Sequence, residues 1–323
     1  MSNQDFRIVY MGTPEFAVEP LKTLLDNGFN VVGVITAPDK PAGRGHKMQF
    51  SQVKEFAVTR GLNILQPEKL KDPVFISELE SLKADLFVVV AFRMLPKVVW
   101  AMPPKGTINL HASLLPQYRG AAPINWAVIN GDKQTGVTTF FIEEEIDTGM
   151  IIDQQVIDID PDENVGSVYQ RLMELGSKVL SGTVQNIKDG TVKPISQSDK
   201  ITKTSDLKAA PKISKDTCQI NWGKTAREVH NLVRGFSPYP AAWTIISKDD
   251  NTTEVVKIFS TRPEVTKHNL QPGAIDTDSK HYMKIATTDG FVSVLEIQPA
   301  GKKRMDIGSF LNGHLISSEW KVS

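Results

Sequence analysis

The stretch RIVYMGTPEFAVEPLKTLLDNGFNVVGVIT, residues 7–36, decides the fold. RIVYMG (7–12) is apolar on both faces and ends in glycine, as a buried strand does. The next segment, 13–28, has helix punctuation, with Thr13 placed to cap, Pro14 at the first helical position and Gly28 as the stop. NVVGVIT (30–36) is a second apolar strand. Two such strands joined through one helix make the crossover unit of a parallel sheet. The alternation continues with a helical SQVKEFAVTRG (51–61), a central strand ADLFVVVAF (84–92) and a strand TINLHA (107–112). The expected fold class is therefore α/β, a doubly wound, mostly parallel Rossmann-like sheet.

Further along, GDKQTGVTTFFI (131–142) and MIIDQQVIDI (150–159) predict two strands around a polar turn, EEEIDTG (143–149), and a helix is expected from about Asp162 to Lys188. The composition then shifts. Residues 193–216 are rich in Ser, Thr, Lys and Pro, with six lysines against three acids, a linker composition. Beyond them come one helix near 224–236, short alternating strands at 242–247, 254–260, 282–287 and 291–298, and a terminal helix, the pattern of a smaller OB-like β-barrel. The expected organisation is a catalytic domain at 1–192, a linker at 193–216 and a second domain at 217–323.

The 323 residues suffice for two hydrophobic cores. The 37 basic and 37 acidic side chains balance, which excludes a uniformly basic coat. The balance is not local: residues 1–206 hold 21 basic and 25 acidic side chains (net −4), and residues 207–323 hold 16 and 12 (net +4). The excess hints at an anionic partner for the second half. A single cysteine, Cys218, excludes an internal disulfide and a cysteine metal cluster. The six histidines (46, 111, 230, 268, 281 and 314) lack ligand spacing, so no metal is expected. Neither a signal peptide nor an apolar run long enough to span a membrane is visible, so a cytoplasmic protein is expected. Separately, the chain is expected to act as a monomer. The first strand-to-helix turn, MGTPE, has one glycine and no G-x-G-x-x-G, which argues against a nicotinamide or flavin dinucleotide.

INLHASLLPQYRG (108–120) carries the chemistry. Strand alternation puts Asn109 and His111 on one face, at the strand end where ligands of such sheets bind. An amide and an imidazole converging there can donate to a developing oxyanion. Taken alone, His111 also fits an ordinary satisfied histidine at a strand end. In EEEIDTG, Asp147 follows Ile146 and precedes Thr-Gly, as in a loop folded back so that its carboxylate can orient and charge a histidine. PDKPAGRGHK (38–47) has two prolines, two glycines and four basic residues, the composition either of a disordered excursion or of a mobile arm that grips phosphate through Arg44 and Lys47. AFRMLP (91–96) has apolar groups suited to a ring-shaped ligand, and ordinary strand-end packing accounts for them nearly as well.

Together these motifs resemble the folate-dependent formyltransferases, most of all the branch that acts on tRNA. The resemblance rests on NLHASLLP (109–116), YRGAAPI (118–124), IDTG (146–149), PAGRG (41–45) and IQPAGKK (297–303), and runs through nearly the whole chain. It implies transfer of the formyl group of 10-formyltetrahydrofolate to the α-amino group of methionine on initiator methionyl-tRNA, leaving tetrahydrofolate. It implies that Asn109, His111 and Asp147 are catalytic, and that Ser113, Leu114, Leu115 and Pro116 bind folate beside Phe92, Arg93 and Leu95. It also places Arg44 near the tRNA acceptor end. Lys47, Lys208, Lys212, Lys302 and Lys303 are further candidates for tRNA phosphates. The chain departs from that branch after Phe92, where Arg93-Met94-Leu95 stands in place of a glycine before Leu-Pro and is nearer the relatives that formylate glycinamide ribonucleotide. Two other readings are a formyltransferase acting on an amino-sugar nucleotide and a folate- or RNA-binding protein without catalysis. The basic arm and the lysine-rich segment favour a polyanion.

Overall fold

A computed structural model describes residues 2–42, 47–201, 203–249 and 252–323. The chain forms two compact units. One comprises Met1–Gly120, Gly136–Ile157 and Gln170–Ala209, and the other Ala121–Thr135, Asp158–Tyr169 and Ala210–Ser323.

The first unit is built on a sheet of seven strands among the described residues. From edge to edge they are Ile151–Asp158, Gln134–Phe141, Thr107–His111, Leu86–Val90, Arg7–Gly12, Asn30–Ile35 and Ile64–Leu65. The five from Thr107–His111 to Ile64–Leu65 pair in parallel, and Gln134–Phe141 runs antiparallel to Thr107–His111. All of Leu86–Val90 and of Ile8–Gly12 is buried, which is why these strands show no polar alternation. On one face Val9, Met11, Phe87 and Val89 pack with Phe75 and Leu79. Those last two come from a helix the sequence reading passed over, Pro73–Ser81, which starts on an Asp72 cap with proline at its first position.

The start of the first helix differs from expectation. Neither Thr13 nor Pro14 caps it through a side chain. A 3-10 turn, Glu15–Ala17, comes first and the α-helix runs Val18–Asp26. The reason is close packing at Gly12, where a Cβ would lie 2.6 Å from the Ala17 Cβ and 3.1 Å from the Val90 carbonyl oxygen. The chain turns tightly over the sheet before it winds into the helix.

The first part of segment 193–216 packs on the first unit. Ile195 bridges Ile151 antiparallel, and Gln197 is 2 % exposed.

The second unit contains an antiparallel sheet in the order Ile275–Thr277, Met283–Ala286, Gly290–Pro299, Thr252–Val265, Ala242–Asp249, Lys321–Val322, with Met305–Asp306 also on Gly290–Pro299. A bridge between Ala274 and Lys321 brings the two ends of this order together, giving a nearly closed barrel. The helix Ala226–Phe236 begins with a capping box between Thr225 and Glu228. Its buried Ala226, Val229, Val233 and Phe236 recur at helical spacing and join the barrel core.

Candidate active site

Asn109 and His111 lie on the strand Thr107–His111, paired with Phe140 and Thr138 of the antiparallel neighbour. His111 closes the strand and is 7 % exposed. Its Nε2 is 2.9 Å from the Tyr118 carbonyl oxygen. A carbonyl only accepts, so Nε2 carries a proton. The edge of the ring meets Phe140 at 6.5 Å between centroids. The other ring nitrogen, Nδ1, faces Asp147, with 3.9 Å to Oδ2. A neutral ring protonated on Nε2 turns a bare lone pair toward that carboxylate, whereas the doubly protonated ring presents an N–H to it. No hydrogen bond among the described residues engages the Asn109 side-chain amide, which is half-buried beside them.

Asp147 arrives from the loop joining Gln134–Phe141 to Ile151–Asp158. Glu143, Glu144 and Glu145 are exposed, while the Asp147 side chain is only 12 % exposed and its Oδ2 accepts from the Gly120 N–H at 2.9 Å. Its backbone is left-handed (φ 56°), a costly conformation for a residue with a Cβ. The loop is held from outside. The Gln197 amide donates to the carbonyls of Asp147 and Gly149, both at 2.8 Å, and accepts from Arg119 Nε and Nη2 at 3.0 and 2.6 Å.

The segment Ser113–Pro116 is fixed from within. Ser113 is fully buried and its hydroxyl donates to the Gln117 carbonyl at 2.7 Å. Thr138 Oγ1 donates to the Ser113 carbonyl and accepts from the Leu115 N–H, and Gln154 donates to the Leu115 carbonyl. Leu115 and Pro116 are buried and Leu114 is half-buried. Phe92 and Leu95 both join the core on the Phe75 side of the sheet. Arg93 is exposed. Its guanidinium donates to the carbonyls of Pro67 and Glu68, the latter at 2.9 Å, and lies 5.6 Å from the Phe92 ring.

The structure thus brings His111 and Asp147 together, with Asn109 two residues before His111 on the same strand, and Ser113–Pro116 follows that strand in the chain. Arg44 lies outside the described residues, and Lys47 opens the short strand Lys47–Gln49. Lys208 belongs to the first unit, with Nζ 5.8 Å from the Tyr118 ring. Lys212, Lys302 and Lys303 are exposed in the second unit. Among the described residues, no group of three or more His, Cys, Asp or Glu could hold a metal ion, and no helix is long and apolar enough to cross a membrane. Sequence reasoning missed Arg119 and Gln197. The first carried a weak signal inside YRGAAPI; the second had none, as a polar residue in a polar stretch.

Residues 6–184 match the formyl transferase family and residues 212–315 its C-terminal domain. A protein of Phocaeicola vulgatus named methionyl-tRNA formyltransferase is 56 % identical over 323 residues, covering 100 % of both chains. Its namesake in Bacteroides thetaiotaomicron is 54 % identical over the same span, again covering 100 % of both. The chain belongs to the formyl transferase family and, within it, to the methionyl-tRNA formyltransferases. Among solved structures, the N-formyltransferase of Helicobacter canadensis in complex with folinic acid and dTDP-3-aminofucose superposes with a TM-score of 0.63 at 22 % identity, over 93 % of this chain and 100 % of that one. A sugar 3N-formyl transferase gives a TM-score of 0.63 at 23 % identity, over 92 % and 99 %. At that identity these two share the fold.

Proposed function

We propose that this protein transfers the formyl group of 10-formyltetrahydrofolate to the α-amino group of methionine on initiator methionyl-tRNA, as a cytoplasmic monomer. The observation that carries the proposal is the Asn109 amide, without a hydrogen bond among the described residues, on the strand whose last residue, His111, faces Asp147. When an amine attacks the formyl carbon, a C–N bond forms, the carbonyl oxygen becomes an oxyanion, and the attacking nitrogen loses a proton. The adduct then collapses, the bond from the formyl carbon to N10 of the folate breaks, and N10 takes up a proton to leave as tetrahydrofolate. Asn109 donates to that oxygen. His111, with Nε2 committed to Tyr118, has Nδ1 left to hold a proton between the oxyanion and Asp147. The Asp147 carboxylate, held through one oxygen by Gly120, accepts the ammonium proton through water.

Ser113–Pro116, with its carbonyl and N–H groups tied to Thr138 and Gln154, gives the pterin side of the donor a rigid wall, and Phe92 and Leu95 add apolar surface. Exposed Lys212, Lys302 and Lys303 of the C-terminal domain, together with Lys208, Lys47 and Arg44, bind tRNA phosphates.

The test offers the purified protein methionyl-tRNA and an amino-sugar nucleotide side by side, with 10-formyltetrahydrofolate as donor. Formylation of the tRNA alone is expected; preference for the sugar nucleotide would overturn the assignment. Affinity for tRNA should fall steeply as salt rises, with a log–log slope of about −0.7 to −0.9 per phosphate contacted.

A further inference from the structure

We infer that Arg119 and Gln197 form a positioning brace that sets Asp147 against His111, an inference that rests on the formyl-transfer reading of the site. Gln197 is almost completely buried, yet its amide is fully used. Both Nε2 hydrogens go to carbonyls of the Asp147 loop, at Asp147 and Gly149, and Oε1 takes two N–H groups of one guanidinium. The brace closes on itself. Arg119 grips the backbone of Asp147 through Gln197, and the very next residue, Gly120, donates its N–H to the Asp147 carboxylate. One dipeptide therefore fixes both ends of the aspartate.

Such a hold is needed because Asp147 sits at φ 56°, where its own backbone preference does not keep it. The chain leading to Arg119 also carries the partner. The Tyr118 carbonyl receives His111 Nε2–H, so the Tyr118-Arg119-Gly120 run orients the imidazole from one side and the carboxylate from the other. The 3.9 Å between Nδ1 and Oδ2 is then set by this run and by Gln197, rather than by a direct hydrogen bond between the two catalytic groups. The guanidinium suits the role because two of its N–H groups converge on one oxygen in a fixed plane, which an ammonium cannot reproduce.

Gln197→Met keeps the volume and removes all four hydrogen bonds. Misplacing a catalytic group by about 1 Å costs about a hundredfold in rate, so kcat should fall about that much while KM for both substrates stays within about twofold. Adding Gln197→Met to Asp147→Asn should then cost less than about threefold more, because the brace acts through the carboxylate. Gln197→Glu, which still accepts from Arg119 but turns an oxygen toward the two carbonyls, should lower kcat similarly and serves if the Met variant fails to fold. NMR supplies a readout independent of the reaction: the His111 ring resonances should move in Gln197→Met as they do in Asp147→Asn. Unmoved His111 resonances, an unchanged kcat, or a full hundredfold loss on top of Asp147→Asn would each overturn the brace. Moved resonances in a protein that formylates neither acceptor would overturn the functional reading and leave the brace standing.

Discussion

Gly149→Ala tests how tightly the Asp147 loop is closed. A Cβ built on Gly149 lies 1.7 Å from the Phe141 carbonyl oxygen and 2.9 Å from its carbon. Real Cβ atoms do not approach closer than 3.0 Å, so the contact is short by about 1.3 Å. The obstacle is backbone inside a hairpin, where the Phe141 N–H bonds the Met150 carbonyl at 3.0 Å, so no rotamer change relieves it. The loop must therefore shift by about 1 Å, and Asp147 is two residues away with its carbonyl and that of Gly149 on the same amide. A displacement of that size costs about a hundredfold in rate. The measurement is steady-state formyl transfer to methionyl-tRNA, with thermal unfolding followed on the same preparation. The expected outcome is a folded protein of somewhat lower melting temperature and a kcat about a hundredfold down. A folded variant with nearly unchanged kcat would refute the reasoning, because the loop would then tolerate movement without loss of the His111–Asp147 geometry.

Asn109→Ala should lower kcat by about a hundred- to a thousandfold, the usual loss for one oxyanion donor, with unfolding unchanged; a loss under about tenfold in transfer assays would remove Asn109 from that role. Thr138→Val should destabilise the protein by about 1–3 kcal/mol in urea unfolding, since it leaves the buried Leu115 N–H and the Ser113 carbonyl without their shared hydroxyl. His230 gives a pH dependence. Burial, then the neighbouring Arg234, lower its pKa against the opposing pull of Asp162. The unfolded chain therefore takes up the proton first, and stability falls as pH drops below about 6.5. His230→Gln should flatten melting temperature against pH between about 7 and 5, and an unchanged slope would count against it.

The sequence exposed those parts of the molecule where physics is local or periodic. Apolar runs at 7–12 and 86–90 marked the central strands because both faces are buried, and period-two spacing put Asn109 and His111 together without any long-range knowledge. Asp147 stood out from its acidic neighbours only through the Ile before it and the Thr-Gly after it, and the structure does turn it inward while three glutamates stay in water. The Pro73–Ser81 helix was legible from its Asp-Pro start and was passed over. Gln197 was not legible at all. Its burial comes from four hydrogen bonds to partners 48 to 78 positions away, and a polar residue satisfied at long range leaves no periodicity behind.

Arg93 shows the same limit from the other direction. It is a charged residue in an apolar segment beyond the central strand, and periodicity does not say what it bonds. Its guanidinium collects the carbonyls of Pro67 and Glu68, while Gln66 beside them donates to the Ala37 carbonyl and to Asp39. The loops after three parallel strands, Asn30–Ile35, Ile64–Leu65 and Leu86–Val90, are thereby tied to one another. Loops at strand ends position ligands only if something holds them, because their own backbone groups are not paired in the sheet. A charged residue in an apolar segment can therefore serve to hold neighbouring strand-end loops together, which is what the Arg93 guanidinium does here.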